Sequence, residues 1–168
     1  MEAAFRGRVL LAQDGPASAR EVRDALLQLG YDIAEVADGI SAVRRVRAIE
    51  PDAAIVDLQG GQDSLRLAGA LAAERLAPVI IASESLEPAV VHEAIRAGVE
   101  ACLVRPVSER QLLPAIELAR ARFQAAAALR SAVEALRDEA ETERLVLRAT
   151  SLVVAEYNVD GHEALERI

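Results

Sequence analysis

Short apolar runs that stop abruptly on polar residues constrain this chain more than any other feature. The run Pro51-Asp52-Ala53-Ala54-Ile55-Val56 ends on a single aspartate, Asp57, and is followed by Leu58-Gln59-Gly60-Gly61. Two β-branched residues in a short run closed by a glycine-rich turn read as a strand buried on both faces of a parallel sheet. In such sheets ligands and reactive groups gather beyond the carboxyl ends of the strands. An isolated aspartate at such a place can also simply open a turn or cap the next helix.

Three further segments repeat the design. Arg8-Val9-Leu10-Leu11-Ala12 leads into Gln13-Asp14-Gly15-Pro16, Pro78-Val79-Ile80-Ile81-Ala82 leads into Ser83-Glu84-Ser85, and Ala101-Cys102-Leu103-Val104 leads into Arg105-Pro106. Side by side, these strands bring Asp14, Asp57, Ser83 and Arg105 to one edge of one sheet. Two carboxylates with a backbone carbonyl make a hard oxygen site that suits a magnesium ion still holding some of its waters. A hydroxyl and a cation opposite can take the remaining oxygens of a phosphoryl group, whose transfer is mainly positioning and charge neutralisation. An aspartate can itself be the nucleophile. The constellation predicts phosphorylation of Asp57.

Between the strands, helical patterns alternate as far as about residue 107, the signature of an α/β sheet with helices on both faces. Ser18-Ala19-Arg20-Glu21 is a capping box for a first helix that buries Val22, Ala25, Leu26 and Leu29 and stops at Gly30. Tyr31 to Val36 is a strand. Helices follow at 41–49, 64–76 and 88–97, the first with Arg44, Arg45 and Arg47 on a solvated face and the last closed by Gly98. After Pro106, Ser108-Glu109-Arg110-Gln111 is another capping box, and apart from Pro114 no strong breaker comes before Asn158. Ala126, Leu129, Val133, Leu136 and Ala140 alternate spacings of three and four, continued less well by Glu143 and Leu147, which is a short coiled-coil seam. Outer turns of such a helix need a partner, and a second copy of the chain is expected to supply it.

Composition removes several function classes. A single cysteine, Cys102, excludes a disulfide framework, and two histidines, His92 and His162, leave no cluster of soft metal ligands. No stretch has the length of a membrane span and the first residues lack a signal peptide, so a cytoplasmic protein with no membrane partner is expected. A net charge of −8 argues against broad attraction to nucleic acid, although a local basic face could act at short range. Every basic side chain is arginine.

The strand-end acid Asp14, Asp57 after Pro51-Asp52, Ser83 after Pro78-Val79-Ile80-Ile81, and the basic-proline pair Arg105-Pro106 resemble the receiver domains of bacterial two-component response regulators. The resemblance implies a flavodoxin-like (CheY-like) doubly wound sheet of five parallel strands in order 2-1-3-4-5. It also implies that Asp57 accepts phosphate from a sensor histidine kinase, that Asp14, Asp57 and the Gln59 carbonyl hold Mg2+, that Ser83 and Arg105 bind the phosphoryl oxygens, and that Pro106 is cis. Such a protein is a signalling protein and not an enzyme. The segments Ala94 to Ala101 and Ala119 to Phe123, with the coiled coil, Arg148-Ala149 and Glu163-Ala164-Leu165, resemble the ANTAR antitermination regulators of the AmiR and NasT type. In that group a dimer binds hairpins in messenger RNA through a small helical domain and prevents transcription termination. On this resemblance Arg144, Arg148, Thr150 and Ser151 are candidate RNA contacts, residues 1–122 form the receiver, 123–144 a coiled-coil linker and 145–168 a partial ANTAR-like helical segment.

Four departures from the family pattern bear on function. Gln13 stands where a second acid is usual, which lowers metal affinity. Arg105 replaces a lysine, and a planar fork does not reproduce a compact ammonium. Cys102 occupies the place of the switch aromatic and reads as a small buried apolar residue. Ala149-Thr150-Ser151 replaces an alanine followed by lysine and glycine, the sequence stops at Ile168 before the family's third helix, and from Thr142 onward three arginines face five acids. A pseudo-receiver, working as a dimeric protein-interaction module without phosphorylation, is the competing expectation, and a phosphate-transferring or hydrolytic enzyme on the same sheet is a third.

Overall fold

The computed structural model describes residues 6–13, 20–37, 39–58, 62–157 and 160–166. Five parallel strands, β1 (Gly7–Ala12), β2 (Tyr31–Val36), β3 (Ala53–Asp57), β4 (Val79–Ser83) and β5 (Ala101–Val104), form one sheet in the order β2-β1-β3-β4-β5. Between them run α1 (Arg20–Gln28), α2 (Gly39–Ile49), α3 (Gln62–Glu74) and α4 (Pro88–Ala97), followed by α5 (Glu109–Tyr157) and α6 (Gly161–Glu166). The flavodoxin-like, CheY-like sheet expected from the sequence is the one observed, and a long helix follows it.

Alternation along each strand sorts the side chains into two cores. Val9 and Leu11 of β1, Ile55 of β3 and Ile80 of β4 pack with Val22 and Leu26 of α1 and with Leu112 and Ile116 of α5. Leu10, Val56 and Ile81 face the other way and pack with Val46 of α2, Leu71 of α3 and Ala94 of α4. Every residue of β3 and of β4 is buried. A strand covered on both faces cannot alternate apolar with polar, which is why these runs are continuously apolar.

Helix ends follow local chemistry. Gly98 takes φ 88°, and its N–H bonds the carbonyls of Ala94 and Ile95, closing α4 in a left-handed cap. At the start of α5 the Ser108 N–H donates to Gln111 Oε1 at 3.0 Å, one half of a capping box. The other half differs from the motif, because the Ser108 hydroxyl donates to the same Gln111 oxygen at 3.1 Å. Ser18, the cap expected for α1, lies outside the described residues. Pro114 does not interrupt α5, since so near the start of the helix its missing N–H forfeits a single bond. Arg47 of the exposed α2 face reaches Glu74 of α3 through paired bonds of 2.6 and 2.8 Å, which raise the arginine's pKa and lower the carboxylate's.

By its contacts the chain divides into residues 1–124 and 125–168, and α5 passes through residue 145 without a break. The receiver was expected to end at 122.

Two stability outcomes follow. Ile55→Ala should cost about 2–5 kcal/mol in chemical denaturation, because Ile55 is fully buried between α1 and α5. Gly98→Ala should cost about 1 kcal/mol, since a Cβ is strained at positive φ and would lie 3.4 Å from the Ala72 methyl. A loss below half of either figure would contradict the assigned burial or cap.

Candidate functional site

The carboxyl ends of β3, β4 and β5 converge on Asp57. Parallel pairing sets Asp57 beside Ala82 and Ser83 beside Val104. The Leu58 N–H donates to the Ala82 carbonyl at 2.8 Å and the Arg105 N–H to the Ser83 carbonyl at 2.9 Å, so the ladder continues one residue past each strand. Apolar burial has therefore carried an acid to the last position of a sealed strand, where it is 2 % exposed.

Arg105 meets it there. Its Nη2 makes an ion-pair contact with Asp57 Oδ1, and its Nη1 lies 3.5 Å from Glu21 Oε1. Arg105 is itself nearly enclosed, with 11 % of its side chain exposed. Neither Asp57 oxygen accepts a well-formed hydrogen bond among the described residues. A buried carboxylate oxygen short of donors is costly unless a cation or donor reaches it. That condition fits a hard cation.

Magnesium is commonly held by one or two carboxylates plus waters, so the absence of any cluster of three acidic or soft ligands among the described residues does not count against it. Asp57 offers the carboxylate. Asp14 and the Gln59 carbonyl, the other expected ligands, lie outside the described residues. Gln13 offers a buried carbonyl oxygen, Oε1, with no hydrogen-bond donor among the described residues. Its amide is turned the other way, with Nε2 donating to Glu35 Oε2 at 3.0 Å, while Arg23 grips the same Glu35 carboxylate from α1.

Ser83 is buried, but its hydroxyl is turned into its own loop, donating to the Ser85 carbonyl at 2.8 Å. To donate to a phosphoryl oxygen it would have to give up that bond. The Arg105–Pro106 peptide is cis. Cys102 is half-buried against the α2, α3 and α4 core, and burial pushes its thiol pKa up, away from the thiolate that redox chemistry needs.

The candidate RNA residues belong to the second unit of the chain. Arg144 and Arg148 are exposed on α5 and share one helix face with Arg137 and Glu141. The Thr150 and Ser151 hydroxyls each donate at 2.8 Å to the carbonyls of Val146 and Leu147, so their protons are already committed within the helix.

Glu21 was read in the sequence only as part of a cap. A signal for it existed: on α1 it is stacked one turn ahead of buried Ala25, in the first turn of the helix that follows β1. Glu35 and Arg23 gave no such signal, because their pairing is long-range.

Residues 9–117 match the family profile of the response regulator receiver domain. Along nearly its whole length the chain is similar to the transcriptional regulatory protein PdtaR of Mycobacterium tuberculosis, with 34% identity over 99% of this chain and 82% of that protein. It is 25% identical to the DNA-binding response regulator MtrA of Mycolicibacterium smegmatis over 65% of this chain and 48% of MtrA. Among solved structures, the receiver domain of a modulated diguanylate cyclase from Desulfovibrio desulfuricans G20 superposes with a TM-score of 0.61 at 33% identity, covering 70% of this chain and 96% of that one. A 34% identical relative spanning the chain, a matching profile and a sheet that places an aspartate at its carboxyl edge agree: this chain belongs to the response regulator receiver domain family.

Proposed function

We propose that the chain is a two-component response regulator phosphorylated on Asp57 by a sensor histidine kinase, and that its helical C-terminal part acts in transcription antitermination by binding RNA. The observation that carries the first half is the buried Asp57 carboxylate at the end of β3, touched by one cation and short of hydrogen-bond donors. An Asp57 oxygen attacks the phosphorus of a phosphohistidine, the P–N bond breaks as the P–O bond forms, and the leaving imidazole takes a proton from solvent. Arg105 neutralises the charge that arrives. Ser83 turns from the Ser85 carbonyl to donate to a phosphoryl oxygen. Bound Mg2+, held by Asp57 with Asp14 and the Gln59 carbonyl, supplies further charge neutralisation.

The second half rests on similarity over 99% of the chain to a protein named as a transcriptional regulator, and on the exposed arginines of α5. Leu129 and Leu136 are 66% and 65% exposed in the single chain, as expected of a seam that a second copy covers. Arg144 and Arg148 would contact phosphates.

One observation favours a different reading. The Arg105 contact supplies Asp57 with a counter-charge from the protein itself, and Gln13 brings no charge to the site. A pseudo-receiver that binds partners without phosphate would be built this way.

Incubation with a radiolabelled small phosphodonor and magnesium separates the two. Wild type should incorporate one phosphoryl group and Asp57→Asn none; equal labelling of both proteins would remove Asp57 from the role. For the output half, tandem-hairpin RNA should bind with salt-sensitive affinity. Arg144→Ala with Arg148→Ala should weaken that binding and lower the slope of log K against log salt by about 1.4 to 1.8. An unchanged slope would exclude these arginines as phosphate contacts.

A further inference from the structure

Glu21 is a half-buried acid in the first turn of α1. Acids are common there because they complement the helix dipole, but that role leaves the carboxylate in solvent. Here Oε1 is shut off from solvent, accepts no hydrogen bond among the described residues, and faces Arg105 Nη1. The same guanidinium presents Nη2 to Asp57. One planar cation therefore spans two carboxylates, one on α1 and one on β3.

We propose that Glu21 is a positioning residue that acts through Arg105 to keep one oxygen of Asp57, Oδ2, clear of the guanidinium for phosphoryl transfer. The proposal rests on the reading of Asp57 as phosphoacceptor. A guanidinium is a rigid fork, so holding one arm fixes the direction of the other. With Nη1 drawn toward Glu21, Nη2 is the arm presented to Asp57, and it meets Oδ1. Without Glu21 the favoured geometry of arginine on a carboxylate is the bidentate one, with two parallel N–H bonds. That arrangement would cover both oxygens of Asp57 and concentrate the full positive charge on the nucleophile. A lysine ammonium, a single point of charge, would not close on the carboxylate in this way. The need for Glu21 thus follows from having arginine at position 105.

The alternatives for Glu21 give different results. A helix-dipole acid would affect stability and leave Arg105 unmoved. A direct contribution of negative charge to the metal pocket would act whatever residue stands at 105.

The test uses the full-length chain. The Arg105 Nε–Hε resonance, assigned by its loss in Arg105→Lys, should shift in Glu21→Gln while amide signals from the β1, β3 and β4 core stay in place. Labelling by the phosphodonor with magnesium should slow about tenfold in Glu21→Gln, with Glu21→Asp in between, and the Gln substitution should cost less than about twofold when placed on Arg105→Lys, since removing the intermediary removes the coupling. An unmoved Arg105 resonance in Glu21→Gln would overturn the proposal, and so would equal slowing in both backgrounds. Should wild type take up no phosphate, the phosphoacceptor reading fails by itself. The Arg105 resonance then still decides whether Glu21 holds the guanidinium.

Discussion

The central strands of this sheet are covered on both faces, and the remainder of the receiver is arranged around that enclosure. Ile55 and Ile80 face α1 and α5 while Val56 and Ile81 face α2, α3 and α4, so no polar side chain is tolerated until the strand runs out. Polar chemistry is thereby confined to the strand ends. The same enclosure that stabilises the fold strips water from Asp57, and a carboxylate in such a place must be met by a cation or hydrogen-bond donors. Arg105 meets that need because β5 ends beside β4, and its N–H continues the ladder at the Ser83 carbonyl.

A site made of one cation between two acids behaves differently from one made of a lysine and an acid. Ammonium charge is compact and freely rotating, whereas the guanidinium distributes its charge over a plane and can serve two carboxylates at once. The chain uses no lysine anywhere, so the arginine at 105 fits a general habit of composition, but the acid that faces it from α1 is specific to this place. Gln13 reinforces the local character of the pocket: its amide is held by Glu35, which is in turn held by Arg23, and this leaves a neutral oxygen where charge might have been.

The parts of the structure visible in the sequence are those governed by short-range rules. β2, β5 and α4 have the expected limits because period, β-branching and a glycine cap are all local signals. The strand order and the convergence of Asp57 with Arg105 came from matching several strand-end residues at once, none of which is decisive alone. Hidden from the sequence were the contacts that join distant segments. Glu21 reaches Arg105 across most of the receiver, Gln13 is oriented by a glutamate on the next strand, and the Ser83 hydroxyl has a rival acceptor only because its loop folds back. The Ser108 cap shows the same limit on a smaller scale, since the motif fixes which residues interact but leaves the hydroxyl proton a choice of acceptor.

Position along the chain gives Arg105 its mechanical significance. It lies between the last strand and the start of α5, whose Leu112, Ile116 and Ala119 are fully buried against the sheet. Helix α5 is the one element that belongs to both units of the chain. With Cys102 in β5 there is no aromatic ring at that position to report the state of Asp57 by changing rotamer. The Arg105 guanidinium then faces two carboxylates, Asp57 and Glu21, from a place just ahead of the helix that the two units share. On the proposed reading, a phosphoryl group on Asp57 would add negative charge on one side of Arg105 and none on the other, which would bias the cation away from Glu21. Because Arg105 is attached to the backbone just ahead of α5, that bias would act on the segment from which the long helix begins.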